Sequence, residues 1–87
     1  MKPVNKYQEA IQNIPLEIQK ESALSFSVSN KIFDLIQAKG WTQKEFARMM
    51  GKTEAEVSVW LSGQHNFTLR TVARISAIFN TDILAVV

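Results

Sequence analysis

The residues of this 87-residue chain that could do chemistry are few. His65 is the single histidine and there is no cysteine, so neither a thiolate metal site nor a disulfide framework can be built. No Ser/His/Asp set, glycine-rich phosphate loop or close carboxylate pair is present. A chain this short also has little room for a water-excluding cleft. Catalysis is not expected, and neither is a cofactor or a bound metal. What remains is charge and hydrogen bonding. The net charge is only +2, but residues 38–75 carry Lys39, Lys44, Arg48, Lys52, Arg70 and Arg74 against Glu45, Glu54 and Glu56, a local excess of +3. Residues 1–37 are neutral. That bias suits a polyanionic partner, although ordinary solvated helix faces carry the same residues.

The element that must position these groups runs from Thr42 to Gly63. Its spacing predicts two short helices, 42–50 and 53–62, joined at Gly51. Phe46, Ala47 and Met50 share one face of the first, and Val57, Trp60 and Leu61 share one face of the second. Gly51 tolerates the left-handed backbone that such a stop needs. Thr53 restarts the chain as an N-cap, with Glu56 completing a capping box. So short a connection makes the helices cross steeply, and Ala47 lets their backbones approach. Opposite the core face of the second helix lie Ala55, Ser58, Val59 and Ser62, with Glu54 near its N-terminal end.

Upstream, Leu24, Val28, Ile32, Leu35 and Ile36 recur at helical steps up to Lys39, and Pro15 suits a first helical turn. Ser22, Ser25, Ser27 and Ser29 crowd the middle of that stretch and predict a kink or break near 22–29. Gly40 ends the helix. The first dozen residues show no period and are expected to be loosely ordered. Downstream, Thr68 is a second N-cap before a helix whose stripe is Leu69, Val72, Ile75 or Ala73, Ile78 and Phe79, stopping at Asn80. The tail turns apolar, with Ile83, Leu84, Val86 and Val87 needing either the chain's own core or a second copy. Phe33, Phe46, Trp60, Phe67 and Phe79 fall at core spacing, so base-stacking platforms are not expected. Trp41 either packs on Phe67 or stays half exposed. With 46% hydrophobic residues the chain can form one compact core, and no run approaches transmembrane length. A soluble, cytoplasmic, all-α domain of four or five helices with a short apolar tail is predicted.

The spacing of Gln43, Ala47, Gly51, Val57, Ser58 and Gly63 resembles the Cro/repressor-type helix-turn-helix of bacterial and phage regulators, over residues 28–84. The resemblance implies a lambda-repressor-like bundle, with 53–62 as the recognition helix that enters the major groove. It implies base-edge contacts from Glu54, Ala55, Ser58 and Val59, flanked by Thr53 and Ser62. Gln43 matches a residue that holds a phosphate, Lys44 and Arg70 are phosphate partners, and Gln64, His65 and Asn66 lie where backbone contacts occur. Each position also has a plainer reading. Glu54 and Glu56 serve the helix N-terminus, Gln43 is a solvated polar residue, His65 is a surface loop residue, and Arg48 and Arg74 lie over the core. This helix also lacks the Gln, Arg, Asn or Lys that the family often uses on purine edges. Ala55 and Val59 can meet thymine methyls, Ser58 can bond either way, and Glu54 can accept from cytosine.

The implied function is a sequence-specific regulator of double-stranded DNA, of the repressor type, acting as a homodimer on a pseudo-palindrome. Size and layout resemble HigA-type antitoxins, with residues 1–28 facing a toxin. The division expected is an N-terminal segment, 1–27, and a DNA-binding domain, 28–87. The alternative is a protein-interaction module that keeps the fold without binding DNA.

Overall fold

The computed structural model describes residues 14–84, so the expectations for the first dozen residues and for Val86 and Val87 lie outside the described residues. Four helices follow one another: α1 Leu16–Lys39, α2 Gln43–Met50, α3 Glu54–Leu61 and α4 Leu69–Phe79. No strand occurs among the described residues, and the fold is all-α. Each boundary has a local cause. Thr42, Thr53 and Thr68 are N-caps whose hydroxyls accept from the amides of Glu45, Glu56 and Thr71. The ends at Gly40, Gly51 and Asn80 adopt the left-handed conformation, which closes the last carbonyls. Pro15 stands one residue before α1, at φ −53° and ψ 143°, and its carbonyl accepts from Ile18 and Gln19.

The break expected near 22–29 does not occur: α1 is continuous across it. Serine disrupts a helix by bonding to nearby backbone, and Ser29 instead turns inward, buried, to a carbonyl of another helix.

Ile32, Phe46, Val57 and Ile75 are fully buried at the centre of a core completed by Val28, Ile36, Ala47, Met50, Trp60, Val72 and Phe79. Phe46 stacks on Phe79 with ring centroids 5.6 Å apart and meets Trp60 edge-on at 6.3 Å. Three residues expected in the core, Phe33 by its spacing and Leu24 and Leu69 as members of apolar stripes, are exposed. Phe33 is 47% exposed because it sits one step round the helix from buried Ile32. Leu24 lies on the part of α1 that precedes Val28, its first buried residue. Leu69, 81% exposed, begins α4 a turn before the buried stripe starts at Val72. Trp41 is half-buried and tilts against Phe79 at 5.2 Å rather than Phe67. In the tail, Ile83 is half-buried against the core, and its amide donates to Ser76 Oγ at 3.4 Å.

Candidate nucleic-acid interface

The junction of α2 and α3 sets the angle of the exposed helix. Gly51 takes φ 68° and ψ 32°. The amides of Gly51 and Lys52 donate back to Arg48 and Ala47 carbonyls at 3.1 and 2.9 Å. Two residues later the chain re-enters a helix through the reciprocal box of Thr53 and Glu56. The Thr53 amide donates to the Glu56 carboxylate at 2.7 Å, and the Glu56 amide donates to Thr53 Oγ1 at 3.1 Å. The Thr53 amide above all, with its hydroxyl and nearby Lys52 adding less, holds the Glu56 carboxyl below its ordinary range against an opposing effect of desolvation. Glu56 is therefore a cap. Thr42 and Glu45 form a second box at the start of α2, with the same Thr-x-x-Glu spacing, which the sequence reading passed over.

Three tertiary contacts then hold the helix-turn-helix unit, and none follows from local spacing. Ser29 Oγ on α1 donates to the carbonyl of Trp60 at 2.5 Å, one of the last carbonyls of α3 that has no partner within its own helix. Arg74 on α4 donates to the Met50 carbonyl at the end of α2, 2.9 Å away, so of its two readings neither a free surface cation nor a mere cover for the core is complete. Gly63, buried at φ 86°, lies directly under the Phe26 ring, where an added Cβ would fall 2.3 Å from ring carbons. Only glycine combines that backbone with that contact.

With its core face pinned, α3 turns Glu54, Ala55, Ser58, Val59 and Ser62 to solvent, Val59 being 54% exposed. Ser58 and Gln43 come together across the two helices: Ser58 Oγ donates to Gln43 Oε1 at 3.2 Å. Gln43 is thus tied to α3 rather than simply solvated. Ser62 Oγ donates to the Val59 carbonyl at 2.6 Å and accepts from the Gln64 amide at 3.2 Å, which holds the loop against the helix end. Thr53 lies at the other end of the same helix as its cap. Lys44 on α2, Asn66 in the loop and Arg70 on α4 are exposed. His65 departs from expectation. It is half-buried, stacked on Trp60 at 5.9 Å and edge-on to Phe67 at 4.7 Å, so the loop is anchored on the core by an aromatic chain.

A protein-family model described as helix-turn-helix matches residues 32–86. That span covers α2, the turn, α3 and α4 entire. The chain belongs to the helix-turn-helix family. This is a family of DNA-binding regulatory domains of the Cro/repressor type. No curated protein and no solved structure matches the chain. Among the described residues no helix is long and apolar enough to cross a membrane, and no group of three or more His, Cys, Asp or Glu side chains could hold a metal ion.

Proposed function

We propose that the helix-turn-helix chain is a cytoplasmic transcriptional repressor that reads a specific sequence of duplex DNA with α3 in the major groove. The carrying observation is the unpacked face of α3, small enough to lie against base edges and tied at Ser58 to Gln43. In this reading Glu54, Ala55, Ser58 and Val59 face bases, while Thr53 and Ser62 lie at the margins. Gln43, Lys44, Gln64, His65, Asn66 and Arg70 hold the backbone, where exposed amides at the start of α2 add a site for phosphate. Residues 28–87 then form the DNA-binding domain. One such module makes too few contacts for tight binding, so two copies act on a pseudo-palindrome. A fluorescence titration of the chain on random duplex DNA, at low and moderate salt, tests this. Affinity should fall steeply as salt rises. Retention of no DNA at low salt would overturn the reading.

A second reading rests on a different surface. The early part of α1 and the start of α4 flank an apolar groove of about 530 Å³, lined by Leu24, Val28, Phe67, Leu69, Val72 and Leu84. Exposed leucines of this size are what a protein partner covers. It supports an antitoxin role in which residues 1–28 face a toxin, and equally a module of the same fold that binds protein alone. The two separate by experiment: an antitoxin binds both its partner and DNA, whereas the interaction module gives no salt-dependent DNA binding.

A further inference from the structure

The face that α3 presents to solvent has no side-chain hydrogen free to donate. Glu54 carries a carboxylate, and Ala55 and Val59 carry only methyls. A serine hydroxyl has one hydrogen and two lone pairs. The hydrogen of Ser58 goes to Gln43 Oε1, and that of Ser62 goes to the Val59 carbonyl. Ser62 Oγ also accepts from the Gln64 amide, so Ser62 has little left to offer. Ser58 keeps both lone pairs, and its orientation is set by a residue on another helix. The same bond engages the amide oxygen of Gln43.

The bases differ in what they show to such a face. In the major groove guanine shows two acceptors and neither a donor nor a methyl, adenine an acceptor beside an amino donor, cytosine an amino donor, and thymine an acceptor beside a methyl group. Acceptors and methyls match amino groups and thymine methyls, and they set lone pairs against guanine. Resting on the DNA-binding reading above, we infer that α3 selects its operator by excluding guanine: the base beneath Ser58 is adenine or cytosine, and the bases beneath Ala55 and Val59 are thymines. Gln43 is a specificity-determining residue in this scheme because it takes from Ser58 the hydrogen that guanine would need.

The full chain and its Ser58→Ala variant are each selected against a random duplex pool, and the enriched sequences are compared. The position whose preference flattens in Ser58→Ala marks the base beneath Ser58. There, guanine should be depleted, and placing it in the selected site should weaken the parent by about tenfold, the scale of a lost base-edge contact. Replacing the conserved thymines of that site by uracil, which removes only the methyl, should weaken binding several-fold. Gln43→Ala returns the hydroxyl hydrogen to Ser58. It should abolish most of the guanine penalty while leaving the uracil effect unchanged. Guanine enriched beneath Ser58, indifference to uracil, or an undiminished guanine penalty in Gln43→Ala would overturn the inference and leave DNA binding standing. A parent that retains no duplex at low salt would overturn both.

Discussion

Ser29 shows how much can rest on one hydroxyl. It is buried and satisfies a carbonyl at the end of the exposed helix. Its removal leaves that acceptor out of water and unpaired. Ser29→Ala should therefore cost about 1–3 kcal/mol, read as a lowered denaturation midpoint with an unchanged slope. Glu56 makes a pH-dependent contribution. Its carboxyl is held below its ordinary value in the folded chain, so the stability it adds is fully present above the unfolded-state value. That stability is lost as pH falls through the lowered one. Melting curves between neutral pH and pH about 3 should show a shallower acid loss for Glu56→Gln than for the parent, and parallel curves would assign the acid sensitivity elsewhere. These two residues also mark the limit of reading a sequence. Thr53 and Glu56 act three positions apart, so their box is visible in the chain. Ser29 bonds across 31 positions, and among four serines in one stretch nothing local distinguishes it. The clustered serines suggested a break for that reason. Arg74, 24 positions from its carbonyl, was illegible for the same cause.

At the scale of elements, the helix-turn-helix was the most legible part, because caps, a glycine and two apolar faces all act within a few residues. Leu69 and Phe33 were misplaced because periodicity gives a stripe's direction and not where its neighbours end. The exposed face of α3 yields two tests. Val59→Glu puts a carboxylate where DNA phosphates crowd, at a side chain that is 54% exposed. It should abolish DNA binding while leaving the melting temperature within a few degrees. Lys44→Ala should weaken every sequence by a similar factor and reduce the salt dependence by about one unit of slope. If both variants bind as the parent does, α3 is not the contact and the protein-partner reading gains. Gly63→Ala gives a structural control at the far end of the same helix. It is strained by its φ of 86° and by the Phe26 ring, and it should lower stability well beyond an ordinary surface change. Gly63→Ala combined with Phe26→Ala should recover only the part due to the ring.

At the scale of the molecule, the tail has two surfaces to satisfy. Ile83 already packs against its own core while Leu84 stays 39% exposed. The tail thus divides between an inward residue and an outward one, and both of the alternatives read from the sequence keep a place. If the tail joins two copies, the parent should sediment as a dimer at high micromolar concentration and a version ending at Asp82 should not. A parent that stays monomeric without DNA would remove the tail as a free-state contact. The truncated chain should also melt lower, because it loses the half-buried Ile83.

The stack of His65 on Trp60 has a practical consequence. Trp60 is 5% exposed, yet its ring touches His65 and Phe67 in the loop beside the exposed helix. Indole emission depends on what lies against the ring, so a core tryptophan here reports on a surface loop. In a Trp41→Phe background, which leaves Trp60 as the sole indole, emission should change when an operator engages the loop. Phe67 also lines the leucine-rich groove, so a ligand there should reach the same indole through that ring. The fold therefore carries its own optical indicator of the loop that follows α3.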